Sequence, residues 1–165
     1  SAGELPYGQL PVLEVDGFRL GQTVAIARYC GKLSGLYPVD DDLQAARVDE
    51  LLDTASQITG LLSETMREKD LEKRLAMRVE LGESTLPKWM DLLEKRLVLN
   101  QGSFVFVGAK MTVADLAIWR LLGWLACGIL DGIPKTLLSG YPALQAHSDM
   151  IASHPGVLGW MAKQN

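Results

Sequence analysis

The sequence predicts an α+β chain that is mostly α, with a two-stranded hairpin and one helix followed by an all-helical region. Three observations carry this. In "LPVLEVDGFRL" two short apolar runs flank Asp16-Gly17, and Asp-Gly between such runs is a strong local signal for a hairpin. From Leu43 onward the apolar residues recur at helical spacing rather than alternating. Gly35 and Pro38 punctuate the junction, and the acidic run after them suits the first turn of a following helix. The expected division is therefore 1–36 and 37–165.

Taken in order, the hairpin gives way to a polar joint, Gly21-Gln22-Thr23, and then to "VAIARYCGKL", where Val24, Ala27, Tyr29 and Cys30 fit a short amphipathic helix. Gln22 or Thr23 stands at its N-terminus. The first long helix places Ala45, Val48, Leu51, Leu52, Ala55, Ile58 and Leu62 on one face. A second helical stretch contains Pro87, which lacks a backbone donor and predicts a kink or break there. "SFVFVG" is a brief strand signal. In "MTVADLAIW", Thr112 and Asp115 have the spacing of a capping box, and Met111 and Leu116 that of a hydrophobic staple. The helix after it, expected over 113–130, is apolar nearly all round and should be the centre of the helical core. Pro142 and Pro155 divide the tail into one or two shorter helices.

Composition narrows the function. The 165 residues are 48% hydrophobic and 22% charged, as in an ordinary globular protein, with a net charge of −4. A nucleic-acid partner is not expected, because such binding draws on a Lys/Arg surplus. The most apolar window is interrupted by Asp115 and Arg120, which reads as a buried core helix rather than a membrane span. Cys30 and Cys127 form no CxxC pair; each sits in an apolar helical context that predicts a small core residue in a reducing, cytoplasmic setting. His147 and His154 are expected as surface or capping residues, and no metal constellation is present in the sequence.

"GQLPVLEVDG", "GQTVAIARY", the acidic linker and "FVFVGAKMTVADLAIW" together resemble the cytosolic glutathione transferases, and with "LPKWMDLLEKRL" the sigma-like class in particular. The resemblance runs in order along nearly the whole chain. It implies a partial thioredoxin-like subdomain over 1–36 and an all-helical C-terminal domain over 37–165. It implies a cis bond at Leu10–Pro11, with the Leu10 backbone pairing glutathione in the manner of an added strand and Gln9 beside it. Gln22 and Thr23 match the family's Gln-Ser pair, where a helix N-terminus receives the γ-glutamyl carboxylate. Spacing alone also fits Thr23 as an ordinary N-cap and Gln9 as a turn residue.

Two departures qualify the resemblance. Family members carry a β-α-β unit ahead of the hairpin, with the tyrosine that stabilises the thiolate, and no residue of this sequence matches that tyrosine. Tyr7 is not its counterpart. An isolated hairpin with one helix is marginal and exposes an unpaired edge, which favours a further N-terminal portion over a truncated protein. On the first long helix, Asp49 and Asp53 are retained, but the acidic pair that reaches glutathione across the family's dimer interface falls on Ser56 and Gln57. Gln57 can accept a hydrogen bond without the charge.

The resemblance implies a homodimeric enzyme that conjugates glutathione to an apolar electrophile or isomerises a substrate with it, needing no metal. A catalytically silent relative that binds or scaffolds is the alternative. A plain helical interaction domain leaves the Gln-Leu-Pro and Gln-Thr pairings without a purpose.

Overall fold

The computed structural model describes residues 5–100 and 103–163; the first four positions of the 1–36 unit and the last two of 37–165 lie outside the described residues. Strands β1 (Val12–Val15) and β2 (Phe18–Gly21) pair antiparallel, with Val12 opposite Gly21 and Val15 opposite Phe18. Asp16 and Gly17 both have positive φ, 49° and 80°, the tight-turn geometry whose twist matches the strands. Helix α1 (Thr23–Leu33) closes through Gly35 at φ 71°, where the Leu36 N–H donates to the Gly31 carbonyl at 2.8 Å and the Gly35 N–H to that of Lys32 at 3.4 Å.

The helical part begins with α2 (Asp42–Arg67), whose N-cap Asp41 accepts from the Gln44 N–H at 2.9 Å. Helix α3 (Leu71–Glu80) runs through a π-helical turn, Leu81–Thr85, into α4 (Leu86–Val98). Pro87 lies in the first turn of α4, so the expected break is a bulge placed just before it, where the proline's missing donor is tolerated. Helices α5 (Val113–Ala126), α6 (Pro142–Ala152) and α7 (Pro155–Met161) complete the chain. The apolar faces of α2, α4, α5 and α6 meet around Ile58, Leu62, Met90, Ile118, Leu122 and Leu144, all fully buried.

Several expectations need correction. "SFVFVG" forms bends and no strand. The Asn100 amide donates to the carbonyls of Val105 and Gly108, both at 2.8 Å, and the Phe106 N–H donates to Asp115, so side chains satisfy the backbone where a ladder would have. Val105, Phe106 and Val107 still join the core. The core helix ends at Ala126 rather than near 130, with Gly128 at φ 81° beyond it. Pro142 and Pro155 open helices rather than interrupt them. Both cysteines are exposed, contrary to their apolar sequence context. His154 caps α7, its Nδ1 accepting from the Gly156 N–H at 3.2 Å, but His147 is wholly buried and not a surface residue.

Candidate binding site

The polar joint between β2 and α1 is built to leave backbone groups free. Gln22 occupies the N-cap position of α1 at φ 70° and ψ 116°, an unfavourable conformation for a side chain with a Cβ, and no side chain caps the helix. Thr23 is the first helical residue, so it is not the N-cap that spacing alone allowed. The first N–H of α1 to find an intrahelical partner is that of Ile26, which donates to the Gln22 carbonyl at 3.0 Å. The preceding N–H groups and the positive end of the helix dipole face an exposed surface with no acidic residue in the first turn.

Opposite this helix end runs the segment that leads into β1. The Leu10–Pro11 bond is cis, as the resemblance implied. Leu10 is 78% exposed and precedes the first ladder pair, Val12 with Gly21. Among the described residues its N–H and carbonyl make no hydrogen bond within the protein. The ring of Tyr7 packs over Gly21, where an added Cβ would lie 3.0 Å from Tyr7 Cδ2. Tyr7, Gln9, Leu10, Pro11, Gln22 and Thr23 line one cleft of about 60 Å³. Five of the six predicted binding residues thus meet in one place. Gln57 does not join them: it is exposed on α2, while its neighbour Ser56 faces the next cavity.

Pro11 and Thr23 also border that next cavity, a groove of about 550 Å³ between α1, α2 and α5. Its walls are largely apolar, including Ala27, Leu52, Ala55, Val113 and Leu121, with Ser56, Thr59 and Arg120 as polar members. The sequence shows Ser56 beside Gln57 and Arg120 within the apolar window but gives neither a place in this groove, and it does not mark Thr59 at all. No local motif marks them, and only the crossing of α2 with α5 brings them to one wall. Leu116 belongs to this groove and to a third cavity of about 700 Å³, lined by Met111, Trp119, Val157 and Trp160 among others.

The elements carrying the cleft are held by two polar clusters. Arg28 on α1 donates to Asp49 on α2 at 2.8 Å, and the Tyr37 hydroxyl donates to the other oxygen of that carboxylate at 3.1 Å. The bond to Asp49 raises the Arg28 pKa, and burial followed by the bond to Asp49 raises that of Tyr37. At the start of α5, a capping box joins Thr112 and Asp115 as predicted: the Asp115 carboxylate accepts from the Thr112 N–H at 2.7 Å and the Thr112 hydroxyl at 2.8 Å. The Val113 N–H donates to the Leu36 carbonyl at 2.8 Å, tying the α1–α2 connection to α5. Gly31 approaches the same residue so closely that a Cβ there would lie 3.1 Å from Val113 Cγ1.

A sequence family described as "Glutathione S-transferase, C-terminal domain" matches residues 53–164. Glutathione S-transferase 1 of Ascaris suum is 33% identical across 96% of this chain and 75% of its own length. Among solved structures, prostaglandin synthase D of Nilaparvata lugens superposes with a TM-score of 0.84 at 26% identity, covering 97% of this chain and 76% of that one. A monomeric glutathione S-transferase of Necator americanus gives 0.80 at 30% identity, covering 98% and 77%. The chain thus spans about three-quarters of the length of these relatives.

Proposed function

The chain belongs to the glutathione S-transferase family, and from that premise we propose that it is a glutathione transferase. Its cleft holds glutathione, and the adjoining groove holds an apolar electrophile. The single observation that supports this most is the convergence of free backbone groups at Leu10 with the uncapped N-terminus of α1 in one cleft that opens on an apolar groove. The Leu10 N–H and carbonyl pair the cysteinyl backbone as a strand edge pairs a peptide. The Gln22 side chain, the Thr23 hydroxyl and the first N–H groups of α1 take the γ-glutamyl carboxylate. Gln9 lies beside them, and Pro11 borders both compartments, where the thiol must meet its acceptor.

The chemistry is addition or substitution by the glutathione thiolate, or isomerisation with glutathione as co-substrate. Holding both partners in adjoining compartments supplies proximity. A hydroxyl that stabilises the thiolate is needed as well, and in this reading it is not one of the residues named above. Residues 1–36 act as a partial thioredoxin-like glutathione-binding domain and 37–165 as the acceptor-binding domain. The protein works as a cytoplasmic homodimer, a reading supported by exposed apolar side chains at Phe18 on the hairpin and at Met66 and Leu71 on α2 and α3. Among the described residues no helix is long and apolar enough to cross a membrane.

Retention on immobilised glutathione, followed by turnover of a chromogenic electrophile, tests the proposal in two stages. Retention without turnover would point to the silent relative instead. Neither retention nor turnover in the full-length protein would reject the reading altogether.

A further inference from the structure

Helix α3 carries an apolar stripe that its own fold leaves uncovered. Arg78 marks the inward face of this helix: it is buried, donates to the Thr65 hydroxyl at 3.1 Å and pairs with Asp131. Leu75, Ala76 and Val79 lie to one side of it, with Leu75 43% and Val79 36% exposed. Together with Glu72, Glu80 and Glu83 they line a shallow groove of about 550 Å³, which the π-helical turn continues through Glu83. Lys73 on the same helix is held by Glu68 at 2.7 Å. Among the described residues no cation pairs with Glu72, Glu80 or Glu83. The whole face lies inside the span that the C-terminal-domain family matches. Helix α3 packs on α2 and the π-helical turn, whereas α1 packs on α2 and α5, so the face is remote from the 5–36 unit.

We propose that this face docks a basic amphipathic helix of a partner protein. An apolar strip edged by unpaired carboxylates is complementary to an apolar seam edged by lysine or arginine. A second copy of this chain does not fit, because pairing the face with itself about a two-fold axis sets Glu72, Glu80 and Glu83 against their own copies. An anionic membrane surface repels the same three groups. An extended peptide does not fit either. Helix α3 has spent its backbone groups internally and offers no strand edge, whereas a helix brings its own backbone bonds satisfied. Ala76 is small enough to let a second helix axis approach to about 8–10 Å between the ridges of Leu75 and Val79. From Glu72 to Glu83 the face runs about 17 Å, room for about three turns of a partner helix. The surface is separate from the glutathione cleft and does not depend on that assignment.

The test uses the full-length protein and three fluorescein-labelled synthetic peptides of about 15 residues, about four helical turns. In the first, leucine and lysine are spaced so that leucine forms one helical face. In the second the same residues alternate one by one, and in the third glutamate replaces the lysine of the first. By fluorescence anisotropy at low salt, the wild type should bind the first peptide about tenfold more tightly than either of the others. Glu72→Gln, Glu80→Gln and Glu83→Gln together should weaken that binding about tenfold, the scale of three exposed charge pairs. Leu75→Ser with Val79→Ser should weaken it about as much by removing apolar contact. All five positions are exposed, so the melting curves should match wild type. Asp16→Asn, Asp40→Asn and Asp149→Asn, three exposed charges elsewhere, should leave binding within about twofold. Equal binding of the two lysine peptides, or an equal loss in this remote triple variant, would reduce the effect to net charge and overturn the inference. So would a lower oligomeric state in sedimentation after Leu75→Ser with Val79→Ser, which would give the face to a second copy. Binding to phosphatidylserine vesicles that the same two substitutions abolish would give it to a membrane and overturn the inference as well.

Discussion

His147 Nε2 lies 3.3 Å from Asp115 Oδ1, with both side chains wholly excluded from solvent. The same carboxylate accepts from the N–H of Phe106 at 2.9 Å, the N–H of Thr112 at 2.7 Å and the Thr112 hydroxyl at 2.8 Å. The edge of the Phe106 ring meets the imidazole, with centroids 5.0 Å apart and planes at 71°. One aspartate therefore joins the start of α5, the 103–108 bends and α6.

Asp115→Ala strips the partner from several buried donors at once, each costing about 1–3 kcal/mol when left unsatisfied. The expected loss is about 3 kcal/mol or more, seen as a fall in Tm of about 6–12 °C for a chain of this size. A melting curve within 2–3 °C of wild type (roughly 1 kcal/mol by the same scaling) would show that the cluster does not hold the fold.

His147 contributes differently. Its Nδ1 is buried without a hydrogen-bond partner, and its bond to Asp115 is long. His147→Leu removes an unsatisfied polar atom while filling most of the space, so stability should change by no more than about 1 kcal/mol. His147→Ala leaves a cavity and should cost about 2–4 kcal/mol. Equal losses for the two variants in chemical denaturation would mean that the imidazole acts through its hydrogen bond and not through packing.

At alkaline pH the Arg28–Asp49–Tyr37 cluster should report on the α1–α2 junction. Burial and the hydrogen bond to Asp49 raise the Tyr37 pKa above its ordinary value of about 10. A raised folded-state value means that the fold favours the neutral phenol. That contribution to stability is complete below the unfolded pKa and is lost as pH rises through the folded one. In a spectrophotometric titration, Tyr37→Phe should remove a late-titrating phenol and flatten the fall in stability above about pH 10. A late phase of the phenol titration that survives Tyr37→Phe in full contradicts this.

Gln22 couples strain to binding. Its positive φ is one that glycine adopts freely, so Gln22→Gly should raise stability by about 1 kcal/mol, while loss of the amide weakens retention on immobilised glutathione. Opposite signs in the melt and on the column are expected. Lower stability together with unchanged retention would remove Gln22 from the site.

The parts of this molecule legible in the sequence are those set by local chemistry. Asp16-Gly17 specifies its turn, the apolar face of 42–67 specifies its helix, and Thr112 with Asp115 specifies a helix start, because each depends on residues within a few positions of one another. What escaped was set by long-range contact. His147 lies 32 residues from Asp115, so its spacing on α6 carries no sign of a buried polar partner. "SFVFVG" has the composition of a strand, but Asn100 and Asp115 take its backbone groups, and among the described residues no neighbouring strand pairs it. The cleft residues Leu10, Gln22 and Thr23 were singled out through family resemblance, since spacing alone favoured an ordinary N-cap at Thr23 and a turn residue at Gln9. That Ser56, Thr59 and Arg120 share one wall follows only from the crossing of α2 with α5.

Calorimetric titration of glutathione into the full-length protein tests the central claim most directly. Wild type should bind one glutathione per chain, and Gln22→Ala combined with Thr23→Val should weaken binding by about tenfold or more, the scale of losing charge-assisted hydrogen bonds, with Tm little changed. Absence of binding in the wild type, or equal affinity in the double variant, would contradict the assignment of this cleft to glutathione.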